Sequence, residues 1–351
     1  MFPTENAIAT CLSGGTEIEI NLRLTEVGSV ALLCPNSIFR LNGPIRIMKD
    51  HQELATEGAP AERNLARVVV SGSNLSSAIV ARASYIRIHH IYVDGQRPDL
   101  GRLKDGEALI EVGGSVTANQ VDHVVALNPR GWSTLHVFEG DGSCTGAVIE
   151  NNEIGPAGAA NGEWADGISL ACRNSGVRNN IITDASDGGI VIFGAPGSTI
   201  EKNLVETQKN VLLGGINLVD YKPFDGDYRG TIVRRNRIVA HGGYIKVGIA
   251  IGPSVWGDDN KHMIRGAAVL DNEIGGYPVG YGIAVDGAQE VVITGNRDRA
   301  EFTGRRDASC FPETVIPGFR LVRNFRRSSG RFQPEFEDQV VRYAICIRKD
   351  E

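Results

Sequence analysis

The chain is short of aromatic rings and of charge of one sign. Phe, Trp and Tyr number 11, 3 and 8 in 351 residues. A core stacked from large rings is therefore excluded, and what packs must be small or branched. The formal net charge is −6. No basic field exists to hold nucleic acid or an anionic membrane, and neither is expected as a partner. No apolar run approaches the roughly 20 residues of a membrane span. Cys-x-x-Cys pairs are missing, so no structural zinc site and no metal ligand set are expected. The opening residues Met1 to Asn6 lack the basic and apolar regions of a secretory leader.

What is abundant is glycine, 43 residues, which suits many tight corners. The six cysteines are Cys11, Cys34, Cys144, Cys172, Cys310 and Cys346. Sequential pairing is the simplest of the fifteen connectivities that six cysteines allow. An even count favours an oxidising compartment. Secretion with the leader removed is therefore expected, the alternative being an intracellular protein with free thiols. The sequon Asn74-Leu75-Ser76 is consistent with secretion.

The stretch Asp166 to Ile190 sets the fold. Short apolar segments (Gly167-Ile168, Val177, Ile181-Ile182, Gly189-Ile190) are separated by polar corners. These are not the two-residue Asn-Gly or Asp-Gly loops of hairpins. Similar segments recur with anchors at Ile110, Leu135, Ile168, Ile190, Ile216, Ile249 and Ile283, at intervals of 25, 33, 22, 26, 33 and 34 residues. A second ladder reads Asn119, Asn152, Asn180, Asn203, Asn236, Asn272 and Asn296. Two ladders in one phase predict a solenoid whose coils bury their apolar side chains on one another. Upstream, Thr16–Leu24, Val30–Cys34, Ile45–Met48, Val68–Ser71, Ala78–Ala81 and Tyr85–Val93 read as strands, and 50–64 as a charged loop.

This pattern resembles the right-handed parallel β-helix of the pectate lyase-like superfamily, over about residues 15–300. The resemblance implies an all-β solenoid of three stacked sheets, PB1, PB2 and PB3. PB1 is the Gly-Ile segment, PB2 the segment ending at the Asn, and PB3 the Ile-Ile segment. Residues 1–15 are read as an N-terminal cap with a short helix over 4–12, 16–296 as the β-helix, and 297–351 as a C-terminal cap over the last coil. Caps are needed because an open coil end exposes strands and core.

Strand alternation points the residue after each anchor outward: Glu111, His136, Ser169, Val191, Asn217, Ala250 and Ala284. Phe138, Ala171, Phe193, Val219, Gly252 and Asp286 follow two positions on. Loops at 155–165, 219–230 and 252–266 flank PB1 and carry Trp164, Tyr221 with Lys222, and Trp256. They are read as walls of a groove floored by PB1. Aromatics beside carboxylates suit sugar rings, and equally suit loops that simply pack down. Asp166 and Asp187 start successive PB1 strands. A close carboxylate pair raises one pKa and sets an acid beside a base, as glycoside hydrolysis requires. They fit equally as turn caps before glycine. Ala165-Asp166-Gly-Ile is similar to the Asn-Thr-Asp-Gly-Ile motif of polygalacturonase-type hydrolases, and Ser186-Asp187 falls near that family's Asp-Asp. Trp164, Gly188 and Leu213-Gly-Gly depart from the pattern.

The expected catalytic residues are thus Asp166, Asp187 and His136. The expected substrate contacts are Glu111, Phe138, Trp164, Phe193, Asn217, Tyr221, Lys246 and Trp256, with Arg82 and Lys222 as further cations. No cofactor is expected; Ca²⁺ held by Asp166, Asp184 and Asp187 is the one alternative. The function expected is a carbohydrate-active enzyme, a glycoside hydrolase or polysaccharide lyase. The alternatives are an isomerase or cyclase of a small apolar metabolite and a non-catalytic glycan-binding module.

Overall fold

The structure is a computed structural model that describes residues 11–159, 163–307 and 321–349. The Gly-Ile segments stack in parallel as PB1, each anchor directly on the next. Ile79 meets Ile110, Ile110 meets Leu135, and the column continues through Ile168, Ile190, Ile216, Ile249 and Ile283 to Leu321. Ile79 through Ile283 in this column have no exposed surface. Each contributes about 2 kcal/mol of burial, which is what holds the coils in register. The glycine before each anchor from Ile168 to Ile283 has a packing reason. A Cβ on Gly189 would stand 2.4 Å from Val205 Cγ1, and one on Gly215 would stand 2.6 Å from Ile238 Cγ2. At these positions the PB3 side chain of the next coil lies over the glycine, in the space a Cβ would need.

PB2 is the sheet that begins with Val30–Leu33, Glu53–Thr56 and Arg87–His89 and runs to Ala288–Thr294. PB3 runs from Ile38–Leu41 through Ile181–Thr183 to Leu204–Thr207. In later coils PB3 bends into PB1 within one long strand, Arg237–Ile251 or Glu273–Val285. The asparagine ladder is real: Asn152, Asn180, Asn203, Asn236 and Asn272 each donate Nδ2 to the next asparagine's Oδ1 at 2.9 Å. Asn119 is not part of it. It precedes Gln120–Asp122 one corner earlier, and the ladder position in that coil is Val124, whose N–H donates to Asn152 Oδ1.

Four local expectations are corrected. Thr16–Leu24 is not a strand, because Thr16 and Glu19 form a capping box that starts the helix Glu17–Asn21. Its Ile20 is fully buried, so this turn of helix covers the first coil. The helix expected over 4–12 falls almost wholly outside the described residues. The segment 50–64 contains a PB2 strand, Glu53–Thr56, with Leu54 inward. Tyr85–Val93 is broken by His90 at φ +48° into Arg87–His89 and Ile91–Asp94. Beyond 296 the coil continues: Arg297–Phe302, Leu321–Arg323 and Ser328–Phe332 add to PB3, PB1 and PB2. Glu337–Asp338 pairs with Val322–Arg323, and Val341, Ala344 and Ile347 then lie over the outer face of PB1.

Disulfides join Cys11 to Cys34 and Cys144 to Cys172, as expected. Cys310, and with it the third expected pair, lies outside the described residues. No helix among the described residues is long and apolar enough to cross a membrane.

Candidate active site

The outward residues of two early PB1 strands, Ile110–Gly113 and Ser133–Phe138, build the floor of a cavity. Glu111 and His136 are register neighbours, as are Gly113 and Phe138. Gly113, at φ +130°, lies so close that a Cβ would stand 2.6 Å from the Phe138 carbonyl. Glu111 is buried, 4% exposed. Its Oε1 accepts from the Ala108 N–H at 3.0 Å. Its Oε2 faces His136 Nδ1 at 3.3 Å and Arg82 Nη2 at 3.6 Å. Arg82 comes from the corner after the preceding PB1 strand and lies 3.7 Å over the Phe138 ring. Burial lowers its pKa, and Glu111 works in the opposite direction.

Trp132 stands edge-on to His136 at 4.8 Å, and the series Trp132, Phe193, Tyr221 continues at 6.4 and 5.6 Å between ring centres. With Glu107, Glu139 and Ala171 these groups enclose a half-open space of about 550 Å³, within the range of small-ligand sites. Of the residues expected from the sequence, Glu111, His136, Phe138, Phe193, Tyr221 and Arg82 converge here. Trp132, Glu107 and Glu139 were not foreseen. Trp132 precedes its PB1 strand much as Trp164 precedes Asp166, so the same corner argument, taken one coil earlier, finds it.

Asp166 and Asp187 form a separate group. Ser169 Oγ donates to Asp166 Oδ2 at 2.8 Å and lies 2.8 Å from Ser133 Oγ, while the Gly188 N–H donates to Asp166 Oδ1 at 2.9 Å. Burial, then the charge of Asp187, holds the Asp166 carboxyl well above the usual carboxylate range. Burial pushes Asp187 up to about 6. Neither lines the cavity, although Ser169 is the register neighbour of His136. Asn217 is buried beside this group, and its Oδ1 has no hydrogen-bond partner among the described residues.

The remaining expected contacts lie elsewhere. Trp164 is 42% exposed and does not line the cavity. Lys222 is exposed, next to Pro223. Trp256 packs into an apolar cluster with Val255, Val341 and Ala344. Lys246 is covered by the C-terminal segment and donates to the Ile345 carbonyl; burial pushes its pKa down to about 8. A calcium role for Asp184 is unsupported, because its Oδ1 accepts from Thr207, Gln208 and Lys209 as a turn cap. Among the described residues, the one group with metal-ligand spacing is His89, His90 and Asp122, on PB2.

The fold is similar to those of carbohydrate-processing enzymes. An alginate lyase from Paenibacillus sp. str. FPU-7 superposes with TM-score 0.56 at 15% identity, over 94% of this chain and 100% of that one. DFA-IIIase from Arthrobacter chlorophenolicus A6 without its lid gives 0.51 at 12%, over 90% and 92%. The A-module of the Azotobacter vinelandii mannuronan C-5 epimerase AlgE6 gives 0.51 at 11%, over 94% and 97%. No curated protein matches the sequence. A family profile described as "right handed beta helix region" matches residues 111–298, more than half of the chain. With the stacked parallel coils, that match places the chain in the right-handed β-helix family.

Proposed function

We propose that this protein is a carbohydrate-active enzyme that works by acid–base chemistry at His136 on a substrate bearing a carboxylate. The observation that carries this reading is the Arg82–Glu111–His136 group. Glu111 meets His136 at Nδ1, so the neutral ring keeps its proton there and its lone pair on Nε2. Nε2 has no hydrogen-bond partner among the described residues. A lone pair facing an open cavity is the state of a general base. Once protonated, the ring becomes an imidazolium that Glu111 stabilises. Glu111 already accepts from Ala108 and faces both the Arg82 guanidinium and the His136 ring, which suits orientation better than nucleophilic attack.

Arg82 keeps donors free for an anion, since a guanidinium carries five N–H groups and only a few are engaged here. A substrate carboxylate set against Arg82 acidifies the adjacent C–H. Removal of that proton by Nε2 begins either elimination or epimerisation. Trp132, Phe193 and Tyr221 offer ring faces for sugar C–H groups. The structural neighbours named for an alginate lyase and a mannuronan C-5 epimerase support this class. The disulfides support secretion.

A second reading is hydrolysis by Asp166 and Asp187, favoured by their raised pKa values. The test is turnover on a panel of acidic and neutral oligosaccharides, with products read by ultraviolet absorbance and mass. Elimination gives an unsaturated product, epimerisation an isomer of equal mass, and hydrolysis a gain of water. His136→Ala is expected to reduce turnover of acidic substrates by about 10²–10⁴-fold. Full activity in that variant, with loss in Asp166→Asn/Asp187→Asn, sinks the His136 reading in favour of the hydrolase. Tight glycan binding without turnover leaves a binding module. Turnover of small apolar metabolites alone leaves an isomerase or cyclase.

A further inference from the structure

A second group of histidines stands on PB2, away from the cavity, and the proposed reaction does not use it. In Arg87–His89, Ile88 is buried in the core, so alternation turns Arg87 and His89 outward. His90 follows at a left-handed corner, φ +48°. The next coil stacks Asp122 on His89 and puts His123 at the matching corner, φ +53°. Later coils fill this corner with Asn151, Asn179, Lys202, Arg235 and Asp271, all at positive φ. The turn therefore does not require histidine.

The side chains converge. His89 Nδ1 and His90 Nδ1 are 2.9 Å apart, and at most one proton fits between them. A ligand atom from each of His89, His90 and Asp122 lies within 4.8 Å of the others. Glu53, from the preceding coil, meets His89 Nε2 at 3.0 Å. That contact places the His89 proton on Nε2 and leaves the lone pair on Nδ1. A carboxylate on the far nitrogen is the partner that metal-ligating histidines usually carry. Asp122 receives Arg87 Nε on Oδ2 at 2.9 Å, and Arg87 Nη2 and His123 Nδ1 on Oδ1 at 3.0 and 2.8 Å. Four lone-pair sites on a carboxylate leave one, on Oδ2. His89 and Asp122 are 8% and 1% exposed. His90 also borders a cavity of about 260 Å³.

We propose that His89 Nδ1, His90 Nδ1 and Asp122 Oδ2 bind a divalent transition-metal ion of the zinc class. Two imidazoles and a carboxylate suit zinc and its neighbours, whereas calcium and magnesium prefer all-oxygen sets. Three protein ligands leave a fourth position for water. The ion joins the corner at 89–90 to the strand 120–122, so it fastens two successive coils.

The experiment uses the full chain without an affinity tag, stripped by chelator and titrated with Zn²⁺ by calorimetry and with Co²⁺ by visible absorption. One ion per chain and a rise in Tm with added Zn²⁺ are expected. His90→Asn, which keeps a residue suited to the corner, should abolish the Co²⁺ spectrum. Glu53→Gln should weaken binding about 10–100-fold. His241→Asn, at a distant exposed histidine, should bind like the wild type. Circular dichroism confirms that each variant is folded. No stoichiometric binding by the wild type overturns the proposal, as does equal binding by wild type, His90→Asn and Glu53→Gln.

Discussion

The outer face of PB1 presents one strand position through the whole solenoid, and its two ends have opposite characters. Over the early coils that position holds Glu111 and His136 in a half-open cavity. Over the late coils it holds Ala250 and Ala284, both without exposed surface. There the returning chain lays Val341, Ala344 and Ile347 against Val247, Ala250, Tyr281 and Ala284. Arg327 and Arg342 reach Asp259, and Lys246 reaches the Ile345 carbonyl. Backbone alternation sets the direction of a side chain in both places. Whether that direction leads to solvent or to a second apolar layer depends on where the chain goes later. Large polar side chains accordingly occupy the open end, and alanines the covered one.

The sharpest way to break this contrast is to put a carboxylate under the cover. Ala284→Asp would bury a charge with no partner placed for it, and an expected loss of about 3–5 kcal/mol follows. At the stacked position in the open end, His136→Ala should cost no more than about 1 kcal/mol, since the ring is partly solvated and Arg82 still faces Glu111. Urea unfolding of the two variants reads the difference. Similar losses at both positions would mean that the two ends are equally covered.

The same contrast explains what the sequence made legible. The PB1 column is visible because each anchor is an inward apolar residue at a coil interval, and packing demands it. Glu111, His136, Phe138 and Phe193 are visible because alternation is local. Asn119 misleads because it is the right residue one corner too early, and spacing alone does not separate corners when insertions vary coil length. Lys246 and Trp256 resemble groove residues until residues 341–347 return over them, a contact about 100 residues away along the chain for Lys246. The helix at Glu17–Asn21 was encoded locally in Thr16-x-x-Glu19, a capping signal that the apolar alternation of the same stretch obscured. The role of the PB2 pair His89-His90 was hidden by its distance along the chain from Asp122, which meets His89 only when coils stack.

Between the two ends lies a buried polar patch, and it sharpens the comparison by its dependence on pH. Asp187 titrates at about 6 in the folded chain and near 3.9 when unfolded. Below the unfolded value both states hold the proton. As pH rises toward 6 the unfolded state releases it first, so stability falls across that window and levels off above it. Asp187→Asn removes this penalty. The variant should match wild type near pH 3.5 and exceed it by on the order of 2–3 kcal/mol at pH 8. Denaturation midpoints of both proteins across that range test it. A constant difference at all pH values would show that Asp187 is as solvated as the open end.

The smallest expected effect separates anion recognition from support of the cavity wall. Arg82→Lys keeps a positive charge near Glu111 but removes the planar fork and its stacking on Phe138. The KM for an acidic substrate should rise about 5–30-fold, equivalent to roughly 1–2 kcal/mol. The change in kcat should be smaller, because His136 and its bond to Glu111 remain. The KM for a neutral oligosaccharide that is turned over at all should move little. The same exchange at Arg342, on the covered end, should leave both constants alone. A fall in kcat with KM unchanged would instead make Arg82 a positioning residue for the Glu111–His136 pair, and the substrate would then need no carboxylate.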